Sequence, residues 1–112
     1  MAQDFVGTKR WIRQATPYEL YMEEQNLPIH RGTVGFYDIR DLTLASWKRM
    51  GAQGAFIELN GCGGLQGMYV IEVPSAGVIT PEKHMYEGIF YVLEGRGTTE
   101  IWNQGDGNKK QT

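Results

Sequence analysis

Short runs of alternating apolar and polar residues follow one another from Gly32 to near the end of the chain. Glycine, proline, asparagine or aspartate separates these runs at intervals of roughly ten residues, a pattern typical of a β-sandwich or β-barrel. Residues two apart on a strand share a face, so the run with Ala55, Ile57 and Leu59 has one clear core face. The pattern predicts six strands, at 33–37, 42–48, 54–59, 67–73, 84–94 and 97–103.

Two of these predicted strands carry apolar residues on both faces. In strand 67–73, Tyr69, Ile71 and Val73 share one face, and the other face carries the apolar Met68 and Val70. The segment from Ile89 to Leu93 is continuously apolar. A continuous apolar run is typical of a strand that is buried on two sides or that faces a subunit interface. The sequence therefore predicts an all-β domain with a central strand covered on both faces.

A short helix is predicted before the strands, from Thr16 to about Gln25. Thr16 can cap this helix, Pro17 suits its first turn, and Glu19 completes a capping box. A helix of two turns cannot stand alone in water, so it must dock through its tyrosine-rich side. The preceding residues, 1–15, show neither helical nor strand periodicity and are predicted to form an arm.

The length of 112 residues is enough for one modest core and not for two. The 15 glycines and the aromatic content of 12% favour tight turns that join aromatic-rich strands. We divide the chain into an N-terminal arm with the short helix, residues 1–32, and the N-terminal part of a β-barrel domain, residues 33–112.

The last residues also carry a prediction. A turn cluster from Gln104 to Asn108 is followed by Lys109 to Thr112, which begins a further strand without an apolar continuation. A natural terminus rarely leaves the edge of a strand uncovered. We therefore expect a truncated portion of a longer protein, with an unfinished edge covered in a homodimer or by the missing C-terminal portion.

Charge and cysteine content exclude several classes of protein. The chain has 11 lysines and arginines against 13 aspartates and glutamates, and no basic cluster of the kind that nucleic acid binding requires. Its N-terminus lacks the apolar core of a signal peptide, and no run approaches the ~20 apolar residues that span a bilayer. The single cysteine, Cys62, agrees with a reducing compartment. We predict a cytoplasmic protein that binds neither nucleic acid nor membrane.

The strongest candidate chemistry lies between Gly77 and Gly97. Glu82, His84 and Tyr86 occupy alternate positions there, and Tyr-Val-Leu-Glu-Gly follows at 91–95. This segment resembles the first motif of the cupin superfamily, G-x5-H-x-H-x3,4-E-x6-G. The resemblance implies a small jelly-roll barrel in which the motif side chains at the mouth hold a divalent metal or a small ligand.

The resemblance covers about residues 67–103 and departs from the motif at two ligand positions. It places the second histidine of the motif on His84, the first on Glu82, and the glutamate on Gly88. Alternation on a strand would turn Glu82, His84 and Tyr86 the same way. Glu87 is adjacent to the vacant position but has the wrong parity, unless a bulge intervenes.

Carried over to this chain, the resemblance implies His84 and Glu82 as ligands of a divalent transition metal: Fe, Mn, Zn or Ni. It implies Tyr86 and Glu82 as residues that bind a small polar organic molecule. Three functions remain open: a metal-dependent oxygenase, isomerase or lyase; a non-catalytic domain that binds a small ligand or assists a partner enzyme; and an oligomerisation domain. The fold alone cannot choose among them, and no catalytic residue is assigned.

Overall fold

The computed structural model describes residues 14–62, 66–105 and 109–112. Within these ranges the chain forms a short helix, a four-stranded mixed sheet and a 3-10 turn at Ile39–Asp41. The helix is α1 (Pro17–Gln25), and the strands are β1 (Ile29–Arg31), β2 (Ala45–Trp47), β3 (Ala52–Glu58) and β4 (Met68–Glu72). The described helix is too short and too polar to cross a membrane.

Helix α1 begins and ends where its local sequence dictates. The Thr16 hydroxyl accepts a hydrogen bond from the Glu19 N–H at 3.2 Å, and the Glu19 carboxylate accepts one from the Thr16 N–H at 2.7 Å. This reciprocal pair is the predicted capping box. Asn26 then adopts a left-handed conformation, with φ of 60°, and ends the helix. The predicted helix is confirmed.

Strand β3 is the centre of the sheet. It pairs with β4 in an antiparallel ladder from Gln53 to Ile57. Its other edge is shared by two short strands, because β2 pairs antiparallel with the first half of β3 and β1 pairs parallel with the second half. The result is a mixed sheet that is open within the described chain. The predicted β-rich architecture is therefore confirmed at this level, and closure into a jelly roll stays a prediction.

The core lies between the sheet and α1. Phe56 is fully buried at 0% exposure, and Trp47, Met22 and Met50 are buried around it. The sequence predicted a core face formed by Ala55, Ile57 and Leu59, and the first two are buried. The prediction omitted Phe56 on the opposite face, because alternation along one strand cannot show that a helix covers its second side.

Three of the six predicted strands are formed, with bounds close to those predicted, at β2, β3 and β4. The strand predicted at 33–37 is wrong, since the chain pairs with β3 earlier, at β1. The Thr33 hydroxyl donates to the Gly35 carbonyl at 2.8 Å and accepts from its N–H at 3.3 Å. This local bonding produces a turn that competes with strand pairing.

The strands predicted at 84–94 and 97–103 are also wrong in the described chain. Only an isolated bridge between Ile101 and Gln111 forms there. Ile89, predicted to be covered, is 97% exposed. A strand requires a ladder partner as well as the correct pattern, and the described residues supply none along this segment.

Candidate functional site

A pocket of about 250 Å³ lies between α1, the sheet and the segment 82–86. Its wall is aromatic and its rim carries charged side chains. The aromatic residues that line it are Tyr18, Tyr21, Trp47, Phe56, Tyr69 and Tyr86. The ionisable residues at the rim are Arg49, Glu82, Lys83 and His84.

Phe56 on β3 organises the aromatic wall. Its ring packs edge-to-face against the rings of Tyr18 and Tyr21, each at a centroid distance of 6.1 Å. These two tyrosines lie three residues apart on α1 and therefore share a face of the helix. Trp47 and Tyr69, from β2 and β4, pack against Phe56 at 5.1 Å and 6.4 Å. Helix α1 thus contributes two rings to the wall, and β2, β3 and β4 contribute one each.

The hydroxyl groups of Tyr18, Tyr21 and Tyr69 remain protonated at neutral pH. Burial raises the pKa of Tyr18 and of Tyr69 to about 12. Burial also raises the pKa of Tyr21, although the nearby Arg49 opposes this effect. These three residues therefore present neutral phenols to the pocket, which can both donate and accept hydrogen bonds.

A backbone contact holds the segment 82–86 against the sheet. The Thr80 N–H donates to the Met50 carbonyl at 3.0 Å, and Ile79 packs on the core. Met50 belongs to the turn between β2 and β3, which also carries Arg49. The chain after Thr80 is thereby directed across the mouth of the pocket.

Glu82 and His84 form a polar pair at this mouth. His84 Nε2 lies 3.5 Å from Glu82 Oε1, and Arg49 Nη1 lies 3.9 Å from the other carboxylate oxygen. His84 Nδ1 donates to the Tyr86 carbonyl at 2.9 Å, since a carbonyl can only accept. The imidazole also stacks on the Tyr86 ring, with centroids 3.9 Å apart. Nε2 is thus the nitrogen that faces Glu82.

The structure brings all three predicted site residues, Glu82, His84 and Tyr86, into one pocket. It does so without the predicted strand, and Met85 and Tyr86 form a bend there instead. Glu87 does not line the pocket, and apart from the two chain neighbours of Gly88 no atom lies within 4 Å of a Cβ placed there. The Glu87 carboxylate is therefore not among the groups at the pocket.

Sequence reasoning missed Arg49 entirely. It lies in a turn without a motif, and its proximity to Glu82 joins segments that are distant in sequence. The aromatic wall was predicted in part, because the sequence indicated that the tyrosine-rich side of α1 packs against the rest of the chain. No local sequence pattern could indicate that a pocket remains beside Phe56 when the helix packs there.

Glu82 and His84 can contribute two ligands to a metal ion. The two facing atoms, His84 Nε2 and Glu82 Oε1, lie 3.5 Å apart, so both could contact the same ion. In the described part of the chain, however, no group of three His, Cys, Asp or Glu side chains could hold a metal. Arg49 also competes for the carboxylate. These residues do not complete a metal site by themselves.

Comparison with protein-family models, curated proteins and solved structures finds no match to this chain. The relationship to cupins therefore stays a prediction from residues 67–103. Function must be argued from the pocket itself, because a fold does not determine what its sites bind.

Proposed function

We propose that this chain is a cupin-like domain that binds a small organic molecule in the pocket between α1, the sheet and the segment 82–86. The observation that carries the proposal is the arrangement of the pocket, with an aromatic wall opposite a few charged groups. Ligand sites in proteins have this composition: apolar surface supplies affinity, and a few polar groups fix orientation.

The exposure of the aromatic wall supports binding over simple packing. Trp47 and Phe56 form a buried base, whereas Tyr86 is 67% exposed and Tyr18 is 36% exposed. Aromatic surface around a concave site is a recurring mark of ligand binding. The volume of about 250 Å³ suits a molecule built on a single ring. The Glu82–His84 pair would lie beside such a molecule. These two side chains could exchange a proton with it, but binding does not require that step.

Replacing Tyr86 with alanine should weaken ligand binding by about 3- to 10-fold, the effect expected from the loss of one aromatic contact. The ligands would be single-ring compounds of positive, negative and neutral charge, screened by ligand-observed NMR against the full chain. Tyr86 is exposed, and within the described residues its ring stacks on His84 alone, so its removal should leave the thermal unfolding transition unchanged.

Tyr37→Ala is the matched control, because Tyr37 is fully exposed and does not line the pocket. Its affinity for the same compounds should equal that of the unchanged chain. The proposal fails if no compound binds, or if Tyr86→Ala and Tyr37→Ala bind every compound equally.

A divalent metal is the second candidate ligand, supported by the 3.5 Å separation of Glu82 Oε1 and His84 Nε2. Zn²⁺ added to the metal-free protein should bind weakly at this pair, because two protein ligands leave the other positions to water. His84→Ala should abolish the change in the NMR signals of the pocket on Zn²⁺ addition. His30→Ala should preserve this change in the NMR signals, since the His30 ring is hydrogen-bonded to the Thr43 carbonyl at 3.0 Å and lies outside the pocket. Equal Zn²⁺ binding by both variants would rule out this candidate.

The alternative of an oligomerisation domain rests on a different surface. The apolar side chains at 89–93 are exposed in the single chain, Ile89 and Tyr91 most of all. A homodimer that covers them stays a prediction, and it is independent of what the pocket binds.

A further inference from the structure

The charged side chains at the rim of the pocket indicate which class of small molecule it binds. This inference rests on the proposed function. We propose that the pocket binds a small aromatic carboxylate, with its ring against the aromatic wall and its carboxylate against the guanidinium of Arg49.

The wall selects a flat apolar ring. The rings around Phe56 pack edge-to-face, at interplanar angles of 88° and 76° for Tyr18 and Tyr21. A further ring can pack against such a wall in the same manner, with centroids about 4.5–7 Å apart. Drug-sized ligands occupy pockets of about 300–1,000 Å³. A pocket of about 250 Å³ therefore favours a ligand with one ring.

The rim selects a negative charge. Arg49 and Lys83 are positive and Glu82 is negative, so the rim is net positive even when His84 is neutral. The Glu82 carboxylate, the group that would attract an organic cation, already has Arg49 and His84 as neighbours. A cationic ligand would meet two like charges at the rim, whereas an anionic ligand would meet one.

Of the two positively charged side chains at the rim, Arg49 has more N–H donors that are not engaged in strong hydrogen bonds. Its Nη1 contacts the Met50 sulfur at 3.3 Å, a weak acceptor, and reaches Glu82 only at 3.9 Å. Among the described residues these are its polar contacts, and the side chain is 42% exposed. A guanidinium presents five N–H donors in a planar fork that matches a carboxylate. Lys83, by contrast, already donates to the Gln104 side chain.

Benzoate is the probe, compared with benzyl alcohol, benzylammonium and cyclohexanecarboxylate in titrations of the full chain. Benzoate should bind at least 10-fold more tightly than benzyl alcohol or benzylammonium, and more tightly than the saturated acid. Arg49→Gln should weaken benzoate binding about 10-fold or more, as expected for a lost hydrogen bond to a charged group, and leave benzyl alcohol binding unchanged. Arg49→Lys, which keeps the charge and loses the fork, should give an intermediate affinity.

Lys48→Gln is the matched control, because Lys48 is the exposed neighbour of Arg49 and does not line the pocket. It should bind benzoate as the unchanged chain does. Tighter binding of benzylammonium, or an equal loss of benzoate affinity in Lys48→Gln and Arg49→Gln, would overturn the inference.

The outcomes also separate this inference from the proposed function. If benzyl alcohol binds as tightly as benzoate and depends on Tyr86, the pocket is a ligand site and the carboxylate assignment is wrong. If no single-ring compound binds in a Tyr86-dependent manner, the proposed function itself is wrong, and the inference fails with it.

Discussion

Replacing Phe56 with alanine is expected to lower the free energy of unfolding by about 3–5 kcal/mol, the usual cost of removing a buried phenylalanine. Phe56 is completely buried, and its ring contacts rings from α1, β2 and β4. Its removal leaves a cavity at the point where these elements meet. The surrounding rings are held by their own backbones and can fill it only in part.

Urea unfolding followed by far-UV circular dichroism would measure the effect, with Phe90→Ala as the control. Phe90 is 75% exposed, so its removal should change the free energy of unfolding by less than about 0.5 kcal/mol. Equal destabilisation by the two substitutions would show that Phe56 is not the centre of the core. It would also contradict the exposure of Phe90 in the single chain.

Elements whose determinants are local in sequence could be predicted well. The capping box of α1 lies within four consecutive residues, so its start at Pro17 follows directly from the sequence. Strands β2, β3 and β4 carry alternating or two-sided apolar patterns and were identified from them.

Elements that depend on a distant partner could not be predicted. β1 forms because the second half of β3 offers it a parallel edge, with Phe56 N–H donating to the Pro28 carbonyl at 2.9 Å. The pattern at 89–93 is that of a buried strand, yet the described chain gives it no ladder partner. The apolar pattern of a segment indicates which of its faces can be buried. It does not indicate which other element will cover those faces.

The same distinction applies to the candidate site. Glu82, His84 and Tyr86 followed from a motif resemblance and from a spacing of two, both of which are local. Arg49 and Trp47 enter the pocket through tertiary contacts alone. The motif therefore indicated part of the rim, whereas the wall and the positive charge that define the proposed ligand required the fold.

Gly54 connects the stability of the sheet to the shape of the pocket. A Cβ atom at this position would lie 2.7 Å from Cε3 of Trp47 and 3.0 Å from the Val70 carbonyl oxygen. Gly54 lies on β3 between β2 and β4, where neither neighbouring backbone can withdraw without breaking the ladder. Glycine is required here because the indole packs directly on the backbone of β3.

Gly54→Ala should therefore lower the free energy of unfolding by about 1–3 kcal/mol, the range for overpacking a tight core. Gly35→Ala, where an added Cβ meets nothing within 4 Å, should have little effect in the same urea titration. Because the indole of Trp47 must shift to admit the methyl group, the folded Gly54→Ala protein should also lose affinity for a ligand in the pocket. Wild-type stability in Gly54→Ala would mean that Trp47 does not pack on β3. The aromatic wall would then need a different base.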